Sequence, residues 1–230
     1  MTKILADKLK RFIGRLSSRQ LIEKVHSQVN PMLEVVRLGD TLMLNTANAN
    51  YSFGGLHRVF QRAFKKIGLN ERDLQRILIL GFGAGSVAAI IREELNIEAT
   101  ITAVEYDPVV IALGRRYFNS ERYTDLELVE ADAAAFISNE KRKYDLIVVD
   151  VYIDFKVPGH CESDEFIKDI FKCLAPGGMV VFNKMIYNHE AREEAHKLEI
   201  LFRKLPGKVG VINIREGMLN KIIVFEKGRG

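Results

Sequence analysis

Arg76-Ile77-Leu78-Ile79-Leu80-Gly81-Phe82-Gly83-Ala84-Gly85-Ser86 decides the fold. An apolar run of strand length passes without a spacer into a glycine loop, and a helical pattern follows over residues 86–95. Glycines at that junction let the backbone turn sharply and approach a ligand with no Cβ in the way. The helix start then offers free N–H groups to a polar or anionic ligand. A dinucleotide fingerprint would place its third glycine at position 86, which is Ser86; here it comes one place early, at Gly85. The G-x-G-x-G spacing of Gly81, Gly83 and Gly85 counts against NAD and fits an S-adenosylmethionine pocket.

Working downstream, the spacing predicts strands over 100–105, 126–129, 146–150, 179–183, 209–214 and 221–226, with helices over 108–118, 133–138 and 162–173. Strands alternating with helices of this length imply βαβ units and a parallel sheet. Residues 215–220 are short enough for a hairpin, so the final strand pair is expected to be antiparallel. Upstream, residues 56–67 carry Leu56, Val59, Phe60, Ala63, Phe64 and Ile67 on one helical face. Residues 20–53 form a short β region, in which Gly39-Asp40 between two apolar runs signals a hairpin. Residues 1–19 show helical periodicity and a basic face, either a surface helix docked on protein or one that touches a membrane or nucleic acid. The expected division is residues 1–55 for the helix and small β region, and 56–230 for a Rossmann-like domain.

The residues at the strand tips carry the chemistry, because ligands of open α/β sheets bind outside the carboxyl ends of the strands. Glu105 ends the second strand, 20 residues after Gly85, where a carboxylate can accept both ribose hydroxyls of a nucleoside. Tyr106 follows it, and Asp107-Pro108 reads as a helix cap with proline in the first turn. Asp132 ends the third strand before Ala133, suited to an adenine amine, to capping the next helix, or to both. Asp150 ends the fourth. Gly81, Gly83, Gly85, Glu105, Tyr106, Asp132, Ala133 and Asp150 are the expected nucleoside contacts.

The bulk numbers set limits. The chain has 230 residues, 47% of them hydrophobic, enough for one sizeable core with a small appendage. A net charge of +4 is too slight to indicate nucleic acid. No apolar run approaches the roughly 20 residues that span a membrane. Cys161 and Cys173 have no CxxC partner and read as ordinary thiols of a reducing compartment, hence a cytoplasmic protein.

In the order ILILGFGAGS, AVEYDP, LVEADAAAFI, YDLIVVDVYIDFKVP and LAPGGMVVF, residues 30–185 resemble the spermidine synthase family. The resemblance implies a Rossmann-like class I methyltransferase fold, a mostly parallel seven-stranded sheet with a small N-terminal β extension, and often a homodimer. It implies S-adenosylmethionine or its decarboxylated form as co-substrate, and the family's chemistry is aminopropyl transfer to putrescine. The family's glycine-loop Asp is replaced by Ala84, and its His-Glu pair by Gly54-Gly55. Its Asp-Ser-Ser-Asp-Pro loop reads Asp150-Val151-Tyr152-Ile153-Asp154, with the second acid displaced by one.

The expectation is therefore an S-adenosylmethionine-dependent, methyltransferase-like transferase with a small acceptor, Asp150 as base and Tyr152 beside it. The alternatives are aminopropyl transfer and a non-catalytic ligand-binding member. Tyr51, His57, Arg58 and His160 are further candidates for the cleft. No metal is expected, because the fifth strand ends Phe182-Asn183 without the Asp of a catechol-type site.

Overall fold

The computed structural model describes residues 19–229. The basic helix expected over 1–19 falls outside them, except that Arg19 opens a strand. Four antiparallel strands come first: β1 (Arg19–Val25), β2 (Leu33–Leu38), β3 (Thr41–Thr46) and β4 (Asn50–Ser52), neighbours in that order. β2 and β3 pair from Leu33↔Thr46 to Leu38↔Thr41 around Gly39-Asp40, as the hairpin signal predicts. The outer strands carry no clear apolar alternation: β1 is mostly exposed and β4 is three residues long. The helix α1 (Gly55–Lys66) follows and buries Val59, Phe60, Ala63 and Phe64, the face its periodicity marks.

The rest of the chain winds into one sheet. Its elements are β5 (Arg76–Leu80), α2 (Ser86–Ala89), β6 (Thr100–Glu105), α3 (Pro108–Phe118), β7 (Leu126–Glu130), α4 (Ala133–Asn139), β8 (Tyr144–Val149), α5 (Asp164–Cys173), β9 (Leu174–Ile186), α6 (His189–Arg203), β10 (Gly207–Glu216) and β11 (Met218–Lys227). Spatial order is β10-β11-β9-β8-β5-β6-β7. β5 through β9 run parallel, while β11 pairs antiparallel with both β9 and β10. The order reverses beside β5, which lies between β6 and β8, and that switch point opens a crevice at the strand ends.

Several boundaries differ from expectation for local reasons. The helix from Ser86 widens after Ala89 into a π turn over Ile90–Glu94, where Leu95 N–H donates to Ile90 O at 2.9 Å. β9 starts at Leu174, five residues early, but its pairing with β8 jumps from Tyr144↔Leu174 to Leu146↔Met179. Pro176-Gly177-Gly178 lies in that bulge, so regular pairing resumes where the strand was expected. The last hairpin is longer and tighter than its sequence suggests, pairing up to Glu216↔Met218 around Gly217. The helix α6 has no counterpart in the sequence reading. Its apolar stripe of Ala191, Ala195, Leu198 and Phe202 is narrow and set among charges.

Burial explains the layers. One face of the large sheet packs against α1 and α2 through Phe60, Phe64, Ile79, Ile90 and Ile101. The other packs against α5 and α6 through Phe166, Ile170, Leu198, Phe202 and Phe225. Fully burying a large apolar side chain contributes about 1.5–3 kcal/mol, so these two faces dominate stability. A third cluster joins Leu33, Val35 and Leu44 of the small sheet to Ala84, Val110, Leu113 and Phe118. It seats the N-terminal sheet on the glycine loop and α3, and so forms one wall of the crevice. Among the described residues no helix is long and apolar enough to cross a membrane.

Candidate active site

A cavity of about 240 Å³ lies at the carboxyl ends of β5, β6, β7 and β8. Apolar walls come from Val29, Val104, Ala131, Val151, Ile153 and Pro158, with Glu105, Asp132 and His160 among the polar lining groups. A narrower space of about 20 Å³ adjoins it toward β9, where Gly83, Asp150, Asp154, Asn50 and Met185 face inward. Tyr51, Gly81, Glu105 and Tyr152 line both, so the two are one cleft with a wide and a narrow end.

Glu105 sits between the ends. It is 5% exposed. Gly83 N–H donates to its Oε2 at 2.8 Å, and the N–H groups of Tyr106 and Asp107 donate to Oε1 at 2.9 and 3.0 Å. Burial raises its pKa, and these backbone donors oppose the rise. The collar ties the glycine loop to the tip of β6. Gly81 takes φ +87° and lies against the backbone of Asp150, where an added Cβ would stand 2.2 Å from the carbonyl oxygen. The loop therefore touches β8 backbone to backbone.

Asp150 is partly open to the cleft and otherwise enclosed. Asn183 Nδ2 donates to its Oδ1 at 2.9 Å. Burial, with the nearby Glu105 carboxylate, lifts its pKa to about 7, against the opposing Asn183 bond. Tyr152 stands beside it as a wall. Its hydroxyl donates to Asn183 O at 3.0 Å and accepts from Met185 N–H at 2.8 Å, while its carbonyl accepts from the Tyr51 hydroxyl. Burial holds both phenols well above the ordinary tyrosine range, so they stay protonated. The Tyr152 hydroxyl is thus committed to the end of β9.

Asp132 caps α4, accepting from Ala134 N–H and Ala135 N–H at 2.9 Å each, and its Oδ2 meets His160 Nε2 at 2.9 Å. Burial pushes its pKa up, but the Ala135 N–H and His160 bonds outweigh it and leave the carboxyl below the ordinary range. Asp154, at φ +57°, straps the loop after β8 to the small sheet. It accepts from the Thr46 hydroxyl, from Asn48 N–H at 3.2 Å and from Asn48 Nδ2 at 2.6 Å. Asp107 has a parallel role: it caps α3 and receives Asn30 Nδ2 at 2.8 Å.

The structure gathers most of the expected residues. Gly81, Gly83, Glu105, Tyr106, Asp132, Ala133, Asp150 and Tyr152 all line the cleft, Tyr106 as an exposed ring. Gly85 does not; it caps α2 and packs against the Phe82 ring. Of the further candidates, Tyr51 and His160 line the cleft. His57 and Arg58 do not. His57 bridges Ser86 Oγ at 3.1 Å and Glu94 at 2.6 Å, clamping α1 to α2, and Arg58 pairs with Glu216 at 2.8 Å on the surface. Sequence reasoning missed Asn183 as the partner of Asp150 and Cys161 as a lining thiol. Neither residue type signals its role without the fold.

The methyltransferase-domain family profile matches residues 77–178. Polyamine aminopropyltransferase from Vibrio vulnificus is 32% identical over 124 residues, 51% of this chain and 41% of that protein. The protein of the same name from Chromobacterium violaceum is 33% identical over 125 residues, 54% and 48% of the two chains. The chain is thus similar in sequence to polyamine aminopropyltransferases and has the methyltransferase fold. The matched segments span less than half the length of those two relatives. In three dimensions, spermidine synthase from Thermotoga maritima aligns with a TM-score of 0.72 at 15% identity, covering 92% of this chain and 74% of that one. Human methyltransferase-like protein 13 in complex with SAH aligns at 0.59 and 21% identity, over 75% and 78%. At these identities the two structures establish the fold alone; the seven-stranded sheet and the N-terminal antiparallel extension are those observed in this chain.

Proposed function

We propose that the cleft holds an adenosyl sulfonium donor and transfers an alkyl group from it to a small amine. The adenine lies at the wide end, against Val104, Ala131, Ala133 and Ile153, with its amine toward Asp132. Three of the roughly four lone-pair sites of Glu105 are taken by backbone donors, so it accepts one ribose hydroxyl rather than two. The sulfonium and its tail point to the narrow end. There the amine nitrogen attacks the sulfonium-bound carbon, the C–S electron pair returns to sulfur as a neutral thioether, and the amine proton passes to Asp150. A sulfonium needs little further activation, so positioning and one base suffice.

The observation that carries this reading is Asp150, a carboxylate with a pKa near 7, facing the narrow end. The cleft is also open: Phe82 packs into the sheet core and does not block it, which argues against a member without a binding site. Among the described residues no lysine or arginine lines either end, whereas Glu105, Asp150 and Asp154 do. That lining disfavours the carboxylate of intact S-adenosylmethionine and suits the decarboxylated donor. Ala84, where the resembling family has an acid, is buried in the third cluster and lines neither end. The narrowness of the inner space, about 20 Å³, supports methyl transfer as a second reading. A homodimer in the cytoplasm belongs to the same proposal as its expected setting.

The by-product separates the two readings. Incubated with the decarboxylated donor and a set of small diamines, the protein is expected to release the methylthio nucleoside that aminopropyl transfer leaves. S-adenosylhomocysteine from the intact donor would establish methyl transfer instead. Mass analysis that finds neither thioether above a protein-free control would remove both.

A further inference from the structure

We propose that Asp132, His160 and Cys161 form a binding site for a thiophilic divalent cation, with Zn2+ as its type, at the wide end of the cleft. One ligand atom from each residue lies within 4.8 Å of the others. Asp132 Oδ2 and His160 Nε2 are already 2.9 Å apart. Ligand bonds of about 2.0–2.3 Å place neighbouring donors of a tetrahedral zinc roughly 3–4 Å apart, so only small movements are needed.

The surroundings hold the ligands in place. Asp132 Oδ1 is fixed by two backbone N–H groups, which aims Oδ2 at His160. His160 and Cys161 are neighbours in the turn Gly159–Glu162, and Cys161 N–H donates to Pro158 O at 2.9 Å. Imidazole, thiolate and a single carboxylate select zinc-like ions over magnesium or calcium. All three residues line the cavity, so the fourth coordination position opens into it. On binding, the Zn–S bond replaces the S–H bond, the thiol proton leaves to solvent, and no redox partner is required. The Asp132–His160 hydrogen bond gives way to two metal bonds.

The consequence rests on the proposed function: a cation there takes the Asp132 edge from the adenine, so metal and donor exclude one another. Zn2+ then inhibits in competition with the donor. The sequence hides this site because its ligands are 28 residues apart along the chain, Asp132 to His160. Two of them are also adjacent, unlike the spaced Cys and His pairs by which a zinc site is read from sequence.

The test uses the metal alone first. Zn2+ is titrated against a chromophoric chelator in the presence of the intact chain, His160→Ala, Cys161→Ser and Cys173→Ser. One Zn2+ per chain and release of about one proton are expected. Loss of either ligand is expected to weaken binding by more than the roughly 10–100-fold that an outer-shell change costs. Cys173 is a buried control thiol beside Ile137 O and Glu140 O and is expected to leave binding unchanged. Exposed His160 can be replaced without disturbing the core, so that variant decides the case if Cys161→Ser folds poorly. Co2+ in place of Zn2+ is expected to show a thiolate charge-transfer band that Cys161→Ser lacks. Equal Zn2+ binding by the intact chain and His160→Ala, or a Co2+ adduct without that band, overturns the site. Donor titrations with and without Zn2+ then read the exclusion, and simultaneous binding overturns it. In a chain that bound no donor, the metal arm would still decide the site, and the functional reading would fall instead.

Discussion

Replacing Asp150 by asparagine is expected to lower the transfer rate by about 10²–10⁴-fold, the range a positioned base contributes, while donor affinity changes little. Asparagine keeps an oxygen for Asn183 Nδ2, so the geometry around the end of β9 survives. The pH profile gives a second reading. A base must be deprotonated to act, so kcat/KM of the unmodified chain is expected to rise with pH and level off above about 7. Stability moves the other way. The folded carboxyl holds its proton up to about 7, whereas the unfolded one loses it near its ordinary 3.8. Between those values the folded state binds more protons, so stability falls as pH rises and the loss is complete above the upper value. Asp150→Asn lacks that slope and is expected to gain stability relative to the unmodified chain at pH 8. Denaturant titrations at pH 5 and pH 8 check this; an identical pH dependence in both proteins would show that Asp150 is an ordinary carboxylate.

Gly81→Ala is expected to cost about 2–5 kcal/mol, combining the strain of a left-handed backbone with overpacking. For a chain of this size that is a fall in melting temperature of roughly 4–20 °C. The new Cβ would meet Asp150 O at 2.2 Å and Asp150 C at 2.6 Å, backbone atoms that cannot rotate away. Relief requires parting β5 from β8 at the point where the loop and the base meet, so donor binding is lost as well. Gly217 supplies the control. Its φ is +75° but nothing lies within 4 Å of an added Cβ, so Gly217→Ala carries backbone strain alone. If Gly81→Ala melted no lower than Gly217→Ala, the close contact between loop and base would be wrong.

The parts of the fold legible in the sequence are those with local causes. β6 and α3 fall at their expected bounds, Thr100–Glu105 and Pro108–Phe118, because Asp107 caps the helix and Pro108 starts it. The glycine loop announces itself because only glycine fits a contact as close as that of Gly81. Two kinds of feature stay hidden. One is the element stabilised mainly by distant partners: α6 holds through Phe202 against Phe182 and Phe225, residues far along the chain. The other is the second partner of a polar side chain. Glu105 reads as a ribose acid, yet most of its capacity is spent on the backbone of its own loop. Asp154 reads as a displaced catalytic acid, yet it ties the β8 loop to Asn48 and Thr46. Asp150 stands out in the sequence, but its raised pKa comes from packing around it, which position alone does not show.

Whether the cleft holds an adenosyl sulfonium donor is decided by calorimetric titration of the protein with S-adenosylmethionine and with its decarboxylated form, side by side. The cleft, lined by acids and by no lysine or arginine among the described residues, predicts that both bind at one site per chain and that the decarboxylated form binds more tightly. Binding of neither would mean that the cleft holds no adenosyl sulfonium donor and that the proposed transfer does not occur there.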